Sequence, residues 1–281
     1  MFLINLKSYL SKAYYQFPLP IDRDEWGACH HGPKVLANSF PKGGTHLLTR
    51  VLSLTPSLVP RWKAHIPSFE FSPHQLSSRI TNIRQGQYLT AHFYHNQELL
   101  KTLNDHNVKT LFIVRDLRDV AVSRAYYLTY SLRTRRMKAI SDYLNSLEND
   151  SERVMAGILG IDENNKYWPS IGELAANYYP WLNTPNCLTI RFEDLVGSNG
   201  GGNSSQQIKV VDSILKHLEI EASETQVSNI ASQAFYRKSA TFRKGKINDW
   251  KNQFTESHKQ AFKDIAGDLI IKFGYESGFD W

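Results

Sequence analysis

Two cysteines in 281 residues, Cys29 and Cys187, are too few for a disulfide scaffold. Neither belongs to a CxxC pair, so the common zinc and dithiol motifs are excluded as well. No group of His, Cys and carboxylate residues has metal-ligand spacing, and no metal is expected. No stretch approaches the ~18 to 20 apolar residues of a membrane-spanning helix. The N-terminal MFLINLKSYLSKAYYQFPLP is interrupted by Lys7 and Lys12 and lacks a long apolar core and a small-residue cleavage site, so no secretory signal is expected. With reduced thiols, this points to a cytoplasmic protein. There is no internal repeat, and no linker marks a boundary, so the expected organisation is one domain over residues 1–281. The one low-complexity piece, GSNGGGNSS at 197–205, reads as a mobile surface loop.

What the chain has is a globular composition, 41% hydrophobic and 21% charged, with a net charge of +6 that suits an anionic partner. Apolar runs alternate with helical patterns. Strands are expected at 35–40, 88–92, 110–114 and 187–191, and helices at 45–54, 97–104, 116–130, 172–182, 206–218, 224–235 and 256–273. That alternation predicts βαβ units and an α/β fold with a central parallel sheet flanked by helices. Ligands of such sheets sit beyond the carboxyl ends of the strands.

Three stretches carry chemistry. In KVLANSFPKGGTHLLTR, residues 34–50, a buried strand turns sharply into a helix through Lys42, Gly43 and Gly44. The helix N–H groups, its dipole and the lysine converge there on a phosphate-type anion. The lysine precedes the glycines, so this is not a Walker A loop. In LFIVRDLRDVAVSRAYY, residues 111–127, Arg115 ends a strand and Ser123 lies two turns along the next helix, a guanidinium and a hydroxyl suited to one phosphate. The competing reading pairs Arg115 with Asp119 or Asp194 and leaves Ser123 to packing. In TFRKGKINDWKNQF, residues 241–254, Arg243, Lys244 and Lys246 surround Gly245, with Trp250 as an anchor. Such a turn is either solvated surface or a cover for a bound anion.

Together these stretches resemble the cytosolic sulfotransferases that use 3′-phosphoadenosine-5′-phosphosulfate (PAPS). FPKGGTHLL resembles the family's 5′-phosphosulfate loop and VRDLRDVAVSRAYY its 3′-phosphate segment. IRFEDL resembles its YEDL strand end, and FRKGKINDWKNQF its RKGxxGDWKNxFT signature. The resemblance implies a single α/β domain related to P-loop nucleotide kinases. It implies that Lys42, Gly43, Gly44, Thr45 and His46 hold the 5′-phosphosulfate. Arg115 and Ser123 would hold the 3′-phosphate, with Arg243, Lys244 and Gly245 closing over it and Phe192 beside the nucleotide. His92, in LTAHFYHN, takes the place of the catalytic histidine in preference to His95, and Lys42 that of the catalytic lysine. Three positions depart from the family pattern: Leu47 for a tryptophan near adenine, Phe192 for the tyrosine of YEDL, and Thr90 for a lysine two before the histidine.

The expected donor is PAPS, with 3′-phosphoadenosine 5′-phosphate (PAP) as product. The acceptor would be a small molecule or carbohydrate, and no nucleic acid partner is expected. Trp62, Phe69, Phe71, Phe93, Tyr94, Tyr126 and Tyr127 suggest an apolar or phenolic acceptor. No feature sets an oligomeric state. The alternatives are a P-loop-like nucleotide kinase, against which the position of Lys42 argues, and a non-catalytic PAP- or nucleic-acid-binding protein, whose basic charge would form a stripe.

Overall fold

Strand β1, Lys34–Ser39, is apolar on both faces because both are covered. Leu36 and the following Phe40 enter one core layer with Phe112, Trp181 and Phe262. Val35 and Ala37 enter the other with Leu111, Ile113, Val51 and Leu52. In this computed structural model, residues 31–66, 73–130, 135–163, 166–236 and 244–281 are described.

The other strands of the main sheet are β2 (Val59–Ile66), β3 (Gln87–Ala91) and β4 (Val108–Val114). A short hairpin follows, β5 (Ile161–Glu163) with β6 (Lys166–Trp168), before β7 (Cys187–Arg191) completes the sheet. The main sheet has five strands in the order β2-β3-β1-β4-β7, every neighbouring pair parallel. Helices α1 (Thr45–Ser53), α2 (Pro73–Thr81), α3 (Gln97–Asp105) and α4 (Leu117–Tyr130) connect or follow its strands. The expected α/β architecture is therefore the observed one.

Several elements went unforeseen: β2, α2, the hairpin, α5 (Arg135–Ser146) and α6 (Asp150–Leu159). Strand β2 is an edge strand carrying Pro60 and a register shift between Pro60 and His65, so it lacks both an apolar run and a clean alternation.

The stretch read as a mobile loop needs correction. Ser198–Gly200 forms a 3₁₀ turn with Gly200 buried, and α9 (Ser204–His217) begins within the same stretch, capped by the Asn203 side chain on the Gln206 N–H. The glycines serve close approach here, not flexibility: a Cβ on Gly200 would meet Val196 Cγ2 at 2.2 Å.

Candidate active site

Because the five strands run the same way, their carboxyl ends deliver the charged motifs to one edge of the sheet. Ser39 leads from β1 into the Lys42 loop, Ala91 from β3 into His92, Val114 from β4 into Arg115, and Arg191 from β7 into Phe192. Strand β2 ends beside them with His65.

The β1–α1 loop brings Lys42 to an uncapped helix N-terminus. Lys42 and Gly44 take φ of 70° and 117°, which reverses the chain within a few residues. A Cβ on Gly43 would stand 2.9 Å from the Phe40 ring, so the turn closes only with glycine there. Gly44 caps α1 with no side-chain hydrogen bond, and the first turn holds no acidic residue, which leaves the positive end of the helix to a ligand. Lys42 Nζ lies 4.1 Å over the Tyr127 ring, which holds the ammonium between this loop and α4. The Thr45 and Ser39 hydroxyls share a 2.6 Å hydrogen bond across the turn.

His92 is fixed by backbone on both sides. The buried Asn38 side chain donates to the Phe93 carbonyl at 3.0 Å and accepts the Phe93 N–H at 2.7 Å, locking β3 to β1 just past the histidine. The Trp181 indole donates to the same carbonyl at 2.9 Å. The imidazole Nδ1 sits 2.8 Å from the Ser39 carbonyl. A carbonyl only accepts, so Nδ1 carries the proton and Nε2 the lone pair. Burial pushes His92 down to about 3, with the nearby His65 adding to the shift, the Ser39 carbonyl opposing it, and His46 and Lys42 lowering it further. The ring is neutral at physiological pH. The His65 ring stands edge-on to it at 4.9 Å, with its Nδ1 3.1 Å from the Thr90 hydroxyl. His95 faces elsewhere: it packs on Trp181 and borders a separate hollow with Lys101 and Pro180.

Arg115 is where the other motifs meet. Its guanidinium donates to the Lys246 carbonyl at 2.8 Å, lies 3.4 Å from Asp119 and stacks 4.4 Å from the Phe192 ring. Phe192 also touches the glycine loop, since a Cβ on Gly44 would meet its ring at 2.9 Å. Glu193 accepts the Asp116 N–H at 3.0 Å and the Tyr275 hydroxyl at 2.9 Å, which braces the turn after β4. Asp119 accepts the N–H groups of Asn248 and Trp250, at 3.0 and 2.9 Å, and so ties the C-terminal signature to α4. Burial pushes the Asp119 carboxyl up, while Arg115 and these amides pull it back. Lys244 pairs with Asp249 at 2.9 Å, and Gly245 has φ of 59°.

The Arg115–Asp119 pairing weighed from the sequence is thus present, yet it does not exhaust the arginine: Nε is buried with no hydrogen-bond partner. Ser123 is buried one helical turn before Tyr127. Arg243 lies outside the described residues, as do the side chains of Trp62, Phe69 and Phe71. Phe93 belongs to the core and offers an acceptor nothing, whereas Tyr94 is exposed. Asn38 and Glu193 were not singled out from the sequence, and Asp119 only as a partner for Arg115, not as the acceptor for the backbone at 248 and 250; a lone Asn inside an apolar strand was the available signal for the first.

One edge of a parallel α/β sheet thus gathers a helix N-terminus, a lysine, a neutral histidine and a buried arginine. A family model described as "Sulfotransferase domain" matches residues 32–274, and the chain belongs to that family. It is 24% identical over 251 residues to Sulfotransferase 2A6 of Mus musculus, covering 84% of this chain and 83% of that protein. It is 25% identical over 269 residues to Sulfotransferase 6B1 of Pan troglodytes, covering 88% and 81%. Among solved structures it resembles mouse sulfotransferase SULT7A1 complexed with PAP, with a TM-score of 0.61 at 19% identity over 89% of this chain and 93% of that one. Retinol dehydratase in complex with androsterone and inactive cofactor PAP gives a TM-score of 0.53 at 17% identity, covering 97% and 86%. At these identities the structures establish the fold.

Proposed function

We propose that the protein transfers a sulfuryl group from PAPS to a hydroxyl of a small-molecule or carbohydrate acceptor, with His92 as general base. The observation that carries this reading is the convergence on one sheet edge of a neutral imidazole with Nε2 unprotonated, the Lys42–Gly44 loop and Arg115. The residues fit the donor on two counts: α1 begins with no side-chain cap and no acidic residue in its first turn, and Arg115 Nε is a buried donor without an acceptor.

PAPS supplies the activated sulfuryl group when bound. Gly43, Gly44, Thr45, His46 and Lys42 would hold its 5′ end; Arg115, Ser123, Lys244 and Gly245, with Arg243, its 3′-phosphate; and Phe192 would lie beside the nucleotide. His92 Nε2 takes the acceptor's hydroxyl proton while Ser39 holds the other ring nitrogen protonated. Lys42 and the first amides of α1 would stabilise the charge left on the phosphate oxygen when its bond to sulfur gives way to the acceptor oxygen's. Among the described residues no group of three or more His, Cys, Asp or Glu could hold a metal, and the step drawn here uses none. No helix among them is long and apolar enough to cross a membrane. A cytoplasmic location and a domain spanning all of 1–281 belong to the same proposal.

The test is PAP release from PAPS in the presence of phenolic, steroid and carbohydrate acceptors. Acceptor-dependent release that is lost in Lys42→Ala supports the reading. ATP-dependent phosphoryl transfer instead would replace it with a kinase.

A further inference from the structure

The glycine-rich stretch after α8 (Phe192–Leu195) has no part in the chemistry above, yet it touches the backbone of the site. Gly197 and Gly201 take φ of 67° and 92°, and the amides of Gly200 and Gly202 both donate to the Gly197 carbonyl, at 3.1 and 2.8 Å. The resulting turn presents Gly200 to the C-terminal signature. The Gly200 carbonyl accepts the Ile247 N–H at 3.1 Å, and a Cβ on Gly200 would stand 2.7 Å from the Gly245 carbonyl. Between those two residues, the Lys246 carbonyl accepts from Arg115 at 2.8 Å. Three successive residues are therefore gripped by two elements, Gly200 at the first and third and Arg115 at the second.

We propose that Gly200 is a positioning residue for the 3′-phosphate site, seating Gly245–Ile247 so that Arg115 stands in register for the phosphate. The inference rests on the nucleotide reading given above. A guanidinium is a rigid planar fork, so the carbonyl that one nitrogen engages fixes where the others point. Arg115 has one nitrogen committed to Lys246 and its Nε buried and unpartnered, so moving that carbonyl redirects the donor a phosphate would use. A methyl at Gly200 presses on the Val196 side chain at 2.2 Å and on the Gly245 backbone carbonyl at 2.7 Å, and the second cannot rotate away. AMP lacks the 3′-phosphate and does not sense the shift.

Titration calorimetry with PAP and AMP on the full-length protein tests this, using wild type, Gly200→Ala, Arg115→Ala, Val196→Ala and the double variant Val196→Ala/Gly200→Ala. The double variant removes the 2.2 Å contact with Val196, so the Gly245 contact is tested even if Gly200→Ala alone fails to fold. Gly200→Ala weakens PAP by about tenfold or more, the equivalent of one charge-assisted hydrogen bond, and leaves AMP unchanged; the double variant does the same relative to Val196→Ala. A lower melting temperature with the PAP-to-AMP ratio intact would make Gly200 a packing residue and overturn the proposal. If Arg115→Ala abolishes the ratio while both Gly200 variants keep it, positioning is wrong and the nucleotide reading stands. Equal PAP and AMP affinities in wild type would overturn both.

Discussion

His92 is defined by the atom that holds its other nitrogen. The Ser39 carbonyl leaves Nε2 unprotonated, and burial keeps the ring neutral down to about pH 3. Two outcomes follow. Histidine ¹⁵N NMR should show His92 in one neutral tautomer from pH 7 to the onset of acid unfolding, and a titration midpoint near 6.5 would contradict this. Because the unfolded chain binds the proton that folded His92 refuses, this residue's contribution to stability falls as pH drops from 6.5 towards 3. If His92 is the base, as proposed, His92→Ala should lower kcat by about 10² to 10⁴ with PAP affinity little changed, and His95→Ala should do far less. Reversed effects in stopped-time assays would assign the base wrongly. Lys42→Ala should cost kcat about 10² to 10³. Lys42 is half-buried, so its effect on stability should stay within the ~0.5 to 2 kcal/mol of a cation–π contact, and a collapse of the fold in thermal melts would show Lys42 to be structural.

At the scale of elements, β1 both builds the core and aims the site. Its Asn38 is fully buried and is the partner that satisfies the Phe93 N–H, while the Phe93 carbonyl keeps a second donor in Trp181. Asn38→Ala should therefore cost about 1 to 3 kcal/mol, the penalty for one orphaned buried amide. Urea unfolding measures that cost; no change in midpoint would mean the clamp is not carrying His92. Much of this layer was legible in the sequence. Fully covered parallel strands are continuous apolar runs, so β1, β3 and β4 stood out; β7, half-buried at the opposite edge from β2, still offered a short run, and the glycines beside Lys42 announced a tight turn into a helix. Strand β2 did not, because an edge strand with Pro60 and Lys63 has neither pattern. The stretch 197–205 misled because composition cannot distinguish glycine used for freedom from glycine used for close approach, and Gly200 does the second.

Across the whole molecule, four sequence motifs separated by long intervals become one cluster because the five strands of the main sheet are parallel. Phe192 touches both the glycine loop and Arg115, Arg115 reaches Lys246, and Asp119 binds the backbone at 248 and 250. Motif identity marked these residues in the sequence, but the Asp119 and Glu193 braces depend on contacts more than 70 residues apart in the chain. Such contacts leave no periodic signal. Cys187, by contrast, stands apart from the chemistry: burial pushes its thiol up to about 12. Half-buried in β7, it should react slowly with a thiol reagent in the native protein and faster on unfolding; equally rapid native modification would contradict the raised thiol.

The proposed reading of a 3′-phosphate by the cluster around Arg115 would separate this protein from any enzyme centred on ATP or AMP. Hydrogen bonds to a charged group contribute roughly 1.5 to 3 kcal/mol each. Two of them, discounted for desolvation, give a preference of about a hundredfold or more. Calorimetric titration of the wild-type protein with PAP and with AMP measures it directly. The account predicts PAP binding about a hundredfold tighter, with the preference lost in Arg115→Ala and AMP affinity barely altered; equal affinities for PAP and AMP in the wild type would contradict it.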